Sequence, residues 1–164
     1  MSIAAMLRPG MRGYLVPFFS GLVLVVCGFL PWVVIEDVSI VGFPDTLAVW
    51  VMGLGGLSMV LAVLSMITRK NSRHPLFLIG LAALGILFLS WRIMPGSVDR
   101  RVLSRAQAIA IVDNTEVVTP PHALAGAGIY VGLAASLLIV AFGFTIVFKQ
   151  VSRPYTVADP NDDV

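Results

Sequence analysis

Two histidines, one cysteine and nine carboxylates are the side chains with which catalysis, metal binding or redox work would have to begin in this chain. Their spacing gives them little to do together. His74 and His122 are separated by a long apolar run, which in a membrane places them on opposite faces of the bilayer, so one copy of the chain does not bring both to one haem or metal. Cys27 has no second cysteine with which to exchange a disulfide, as a quinone-linked disulfide-forming enzyme requires, and its place within an apolar run suits packing. The carboxylates fall in the polar segments, at Glu36, Asp37, Asp45, Asp99, Asp113, Glu116, Asp159, Asp162 and Asp163. None lies inside an apolar run, where a proton-coupled exporter of the small four-helix kind carries its acidic group. The chain has no glycine-rich phosphate loop, serine nucleophile elbow or zinc-ligand spacing. A single histidine ligating a haem or pigment, with a partner completing the pocket, remains a candidate, and His74 is the better placed of the two. No cofactor is otherwise expected, and the reading is of a protein that is not an enzyme.

The elements that would position these residues are set by composition. Hydrophobic residues make up 58% of the chain and charged residues 12%, with a mean hydropathy of +0.94. A water-soluble domain cannot bury that much apolar surface. Four apolar stretches, at 14–30, 46–67, 76–91 and 123–148, are long enough for transmembrane helices. Pro17 falls in the opening turn of the first, where a missing N–H costs little, and Pro31 stands at its exit. Asp45 or Thr46, just after Pro44, offers a side-chain oxygen to cap the second. The expectation is an all-α membrane protein: one four-transmembrane-helix bundle over residues 1–150 and a polar cytoplasmic tail over 151–164.

Lysines and arginines choose the orientation, because cations near the ends of spans are retained in the cytoplasm. Arg8, Arg12, Arg69, Lys70, Arg73, Lys149 and Arg153 gather on one side, against Arg92, Arg100, Arg101 and Arg105 on the other. Both termini are therefore expected inside. The net charge of +2 serves topology on this reading, and no nucleic-acid partner is expected. A cleaved secretory signal is the alternative for the first stretch, but the Pro-Trp-Val-Val-Ile-Glu-Asp that follows it lacks a small-x-small cleavage pattern.

Two outer loops follow from that topology. Residues 32–44 read Val33-Val34-Ile35, Glu36-Asp37, then Val38-Ser39-Ile40-Val41, which suits a short strand-like hairpin turning at Glu36-Asp37. Trp32 and Trp50 are expected at the membrane interface, with Trp32 on a surface for lipid or a partner. In the second loop, Ser97 is expected to cap an amphipathic helix whose Val98, Val102, Ala106, Ile109 and Ala110 recur at helical spacing. Its Arg100, Arg101 and Arg105 are candidates for contact with anionic lipid or a partner.

Packing is then the main chemistry left, since lipid gives helices no hydrophobic reason to associate and small residues must let backbones approach. Gly128, Gly132 and Ser136 form a small-residue stripe on the fourth helix, and Gly53 and Gly56 are the candidates on the second. Met52, Met59 and Met66, at heptad spacing, suit adaptable core. The Leu30-Pro31-Trp32 exit, the strand-like loop, Gly42 and the glycine-rich second helix resemble a pattern in small bacterial four-span inner-membrane proteins of unassigned function. That resemblance covers the first half of the chain and implies an inner-membrane location. The claudin-like loop signature of tryptophan with paired cysteines is absent. The functional expectation is an accessory or scaffold subunit whose partners are membrane lipid and other integral membrane subunits, with no soluble small-molecule substrate. The competing readings are a small oligomeric transporter or channel, its pore lined by Ser58, Ser65, Ser90, Ser136 and Thr145, and a subunit carrying a haem or pigment on His74.

Overall fold

Lipid offers no water to satisfy a peptide group, so apolar segments of this length are driven to bond their own backbone as helices. A computed structural model describes residues 12–68, 73–117 and 119–151. Arg8, Arg69, Lys70, Arg153 and the tail from residue 152 lie outside the described residues, as do the side chains of Arg12 and Lys149. After a 3-10 turn at Arg12–Tyr14, the order is α1 (Leu15–Cys27), β1 (Pro31–Ile35), β2 (Val38–Val41), α2 (Thr46–Thr68), α3 (Arg73–Asp113), β3 (Leu124–Ala125) and α4 (Ala127–Val151). Three of these helices, α2, α3 and α4, are long and apolar enough to cross a membrane. At 13 residues, α1 is shorter than the span expected over 14–30.

The helices form a ring in which α1 packs on α2, α2 on α3, α3 on α4 and α4 back on α1. The α3–α4 seam is the most extensive and the α2–α3 seam the thinnest of the four. At one end of the ring, the buried Tyr14 ring meets Phe142 edge-on at 5.2 Å, and the Arg73 guanidinium lies 5.5 Å above the same Phe142 ring. At the other end sit the hairpin and Trp32.

Small residues make the seams, but not all of those expected. On α2 the buried positions are Ala48, Val51, Gly55, Ser58, Ala62 and Ser65, alternating steps of three and four that keep one stripe facing inward. Gly55 lies against Gly21 of α1, each so close that a Cβ on either would stand about 2.6–2.7 Å from the other's carbonyl oxygen. Gly53 and Gly56, the expected packing glycines, point off this stripe and meet nothing within 4 Å. Two of the three expected methionines pack against glycines of α1 or its C-cap, Met52 against Gly28 and Met59 against Gly21.

Two further expectations need correction. The third span over 76–91 and the amphipathic helix expected to start at Ser97 are not separate, because α3 runs unbroken through Pro95 for 41 residues. At about 1.5 Å per residue that is about 60 Å, twice the thickness of a hydrocarbon core. Ser97 accordingly caps nothing, and its hydroxyl donates back to the Met94 carbonyl at 2.8 Å. The fold is also not all-α: β1 and β2 form the expected hairpin, with Glu36 at the turn in the left-handed region (φ 48°), and β3 adds antiparallel to β1 to give a sheet ordered β2-β1-β3.

Gly55→Ala is expected to lower stability by about 1–3 kcal/mol through backbone overpacking against Gly21. Gly56→Ala, facing open space, is expected to be neutral or to gain up to about 1 kcal/mol from helix propensity. Thermal unfolding of the two variants in one detergent separates them, and equal effects would contradict this register of α2.

Candidate functional site

The end of the bundle away from Tyr14 is organised by one irregularity in a strand. Between Pro31 and Val33 the pairing of β1 with β2 slips, so that the register passes from Pro31↔Val41 to Val33↔Ile40 and Trp32 has no partner of its own. A bulge of this kind re-aims a side chain. Trp32 turns inward and is fully buried, as is Val33 beside it, which breaks the in-out alternation of a flat strand. The expected interfacial position of Trp32 on a lipid or partner surface is therefore corrected.

Inward, the indole N–H donates to the carbonyl of Cys27, the last residue of α1, at 2.9 Å. The ring is held between two glycines. A Cβ on Gly42 would stand 2.6 Å from its Nε1, and one on Gly128 would stand 2.7 Å from its Cδ1 and 2.9 Å from the Cys27 carbonyl oxygen. Gly126 completes the clasp, its N–H donating to the Trp32 carbonyl at 2.7 Å. Gly132 lies one turn below, where a Cβ would meet Leu87 and the Cys27 sulfur at 3.0–3.1 Å, and Ser136 is buried with its hydroxyl on the Leu133 carbonyl.

Trp32 floors a cleft of about 510 Å³ at the hairpin end of the thin α2–α3 seam. The hairpin contributes Ile40 and Val41, α2 contributes Asp45 and Leu47, and α3 contributes the face from Leu89 to Arg101. Asp45 is the residue that caps α2, its Oδ1 accepting the Leu47 N–H at 2.9 Å. On another side of α3, Asp99 latches the returning chain: its Oδ1 accepts the buried Ala123 N–H at 2.6 Å, and His122 Nδ1 lies 3.5 Å from Oδ2. A smaller pocket of about 240 Å³ lies there, between Arg100 and Leu103 of α3 and the segment Thr119–His122.

The sequence candidates are dispersed by this geometry. No protein-family model, curated protein or solved structure matches this chain. The arrangement of its own residues is thus what bears on function. His74 is exposed in the first turn of α3, at the end of the bundle opposite Trp32, and among the described residues no group of three metal-ligating side chains forms. Arg100 bonds the Gly96 carbonyl through Nε at 3.2 Å, Arg101 lines the cleft, and Arg105 borders a shallow depression with Ile109, Val112 and Asp113. They do not form one cluster.

The serines offered for a pore are turned to other work. Ser58, Ser65, Ser90 and Ser136 are buried, with hydroxyls on the carbonyls of Pro17, Leu61, Ile86 and Leu133 respectively. Thr145 donates to Phe142 and accepts from Arg73. Sequence reasoning missed Gly42, Gly126 and Asp99. The signal available for the glycines was a Gly126-x-Gly128 pair at the very start of a helix, where a capping side chain is the usual choice.

Trp32→Phe is expected to cost about 1–3 kcal/mol, because the buried Cys27 carbonyl loses the indole donor while an aromatic ring still occupies the slot. Asp99→Ala is expected to lose a similar amount by stranding the Ala123 N–H, Asp99→Asn less because Oδ1 is retained, and His122→Ala, at an exposed ring, no more than about 0.5 kcal/mol. Thermal unfolding in detergent measures all four. A larger loss from His122→Ala than from Asp99→Ala would overturn the latch.

Proposed function

We propose that the protein is a non-catalytic accessory subunit of a bacterial inner-membrane complex, anchored by a four-span bundle and docking another integral membrane subunit through the extramembrane arm of α3. The observation that carries this reading is the tip of the arm. Ala108-Ile109-Ala110-Ile111-Val112 are five consecutive apolar residues, which at about 100° per residue surround the helix axis, and Ile111 and Val112 are 80% and 82% exposed. A helix lying on a bilayer is apolar on one side only, whereas one that is apolar all round is buried in protein or crosses a membrane, and five residues are too few to cross. The tip thus suits enclosure by a partner better than the one-sided amphipathic helix expected for this segment. Its end is built to hold a shape, since Asn114 takes the left-handed conformation (φ 51°) and the Thr115 N–H returns to the Ala110 carbonyl at 3.0 Å.

The span count and orientation belong to the same proposal. α1 runs the length of the ring, from Tyr14 against Phe142 to Cys27 beside Gly128 and Gly132, so its 13 residues and the preceding 3-10 turn serve as the fourth crossing. Four alternating crossings put both termini and the α2–α3 connection on one side, which is the side richer in Lys and Arg and hence cytoplasmic. The arm then projects outward. The sealed hydroxyls of Ser58, Ser65, Ser90 and Ser136 favour this reading over an oligomeric pore lined by them.

Gentle detergent extraction from the native membrane, native separation and mass spectrometry test it. The wild-type chain is expected in one band with a larger membrane subunit at fixed stoichiometry, and Ile111→Asp with Val112→Asp is expected to release it as a folded, separate chain. Recovery of the wild type alone, or a band unchanged by the double variant, would sink the proposal.

A further inference from the structure

The cleft above Trp32 carries a charge pattern that nothing else in the fold uses. Arg101 and Asp45 both line it, yet among the described residues neither forms an ion pair, with the other or with anything else. Asp45 spends only Oδ1 on the Leu47 N–H. Two opposite charges that share a cavity of about 510 Å³ without closing on each other leave both to an occupant.

Polarity also changes in one direction along the cleft. On α3 the lining runs from Leu89 and Ile93 through Met94 and Val98 to Arg101, a rise of about 18 Å along the helix. The apolar end lies in the part of α3 apolar enough to cross a membrane, and the charged end lies where the helix turns polar. Ser90 and Ser97 on the same lining are already bonded to Ile86 and Met94 carbonyls, so the lower cleft asks for no polar partner. The thin α2–α3 seam lies on the perimeter of the ring, so the cleft is reached sideways from the bilayer.

We infer that this cleft holds one aminophospholipid of the leaflet on the hairpin side, an acyl chain lying along Leu89, Ile93 and Val98, the phosphate on the Arg101 guanidinium and the primary ammonium on the free oxygen of Asp45. An anionic lipid matches Arg101 but sets its charge against Asp45. A choline lipid has the right zwitterion, but its quaternary nitrogen has no N–H to donate to a carboxylate. Phosphoethanolamine satisfies both charges, its phosphate accepting from Arg101 and its primary ammonium donating to Asp45. This site does not depend on what encloses the tip of the arm, and Ile111→Asp with Val112→Asp is expected to leave it intact.

The test is native mass spectrometry of the full chain in detergent, titrated separately with phosphatidylethanolamine, phosphatidylcholine and phosphatidylglycerol. One equivalent of phosphatidylethanolamine is expected to be retained about tenfold more tightly than either of the others, the amount expected of one charge-assisted contact. Asp45→Asn is expected to remove most of that preference while keeping the α2 cap, since asparagine caps as well as aspartate, and Arg101→Gln is expected to weaken retention of all three lipids, each of which carries the phosphate. Val98→Trp, which fills the cleft, is expected to abolish retention of all three lipids. Equal retention of the three lipids, a preference for phosphatidylglycerol, a preference for phosphatidylethanolamine that survives Asp45→Asn, or retention unchanged by Arg101→Gln would each overturn the assignment.

Discussion

A helix that ends against protein and lipid leaves its last carbonyls without water, and each unmet group there costs several kcal/mol. At the end of α1 the Cys27 carbonyl receives the Leu30 N–H at 3.2 Å and the Trp32 indole N–H at 2.9 Å. The rest of that end of the molecule follows from this demand. For the indole to reach back, Trp32 must point inward, so β1 carries a bulge; for the ring to fit, Gly42 and Gly128 must lack a Cβ; and for β1 to hold its place, Gly126 donates to the Trp32 carbonyl. Hairpin, third strand and the start of α4 are all fixed around one ring. The cleft and the direction of the arm are consequences, since Trp32 floors the first and the chain that returns through Ala123 to β3 is tied to the second by Asp99.

Deeper in the bundle the balance is different. Lipid tails solvate leucine as well as protein does, so attraction must come from close contact and from hydrogen bonds made where nothing competes. The Gly21–Gly55 approach supplies the first, and the Ser58 hydroxyl on the Pro17 carbonyl at 3.1 Å supplies a bond from α2 to α1 at the same seam. That seam is where a short α1 most needs holding. The α3–α4 pair, both long, is joined more extensively, with Gly80 against the backbone of Val140 and Gly143 against Phe77.

What was legible in the sequence depended on whether a feature is local. Apolar runs gave α2 and α4 within a few residues at most boundaries, and β-branched residues around Glu36-Asp37 gave the hairpin, because length and side-chain type alone decide those elements. The stripe Ala48, Val51, Gly55, Ser58, Ala62, Ser65 was legible too, yet Gly53 and Gly56 drew the eye because glycine was read without its neighbours' spacing. Trp32 was not legible. Its burial depends on a bulge, and the bulge depends on Gly126 and Gly128 arriving from almost a hundred residues later. The two-residue β3 is too short to leave any pattern.

Pro95 lies inside α3, where a local rule argues against it. A proline in a helix interior removes one backbone bond and crowds the carbonyl four residues earlier, at a cost of about 3 kcal/mol, which argues for a break. The helical pattern is nevertheless coherent on both sides, with Ser90, Met94, Ser97, Val98 and Arg101 sharing one face of the cleft across it. Breaking the helix there would give up that face and free the arm to move. Keeping it continuous carries the rigidity of the apolar half of α3 into its polar half, with the Asp99 latch tying that half to the returning chain. An arm already held in place pays less ordering entropy when it is enclosed, which is the property a docking element needs and a loop of the same length lacks.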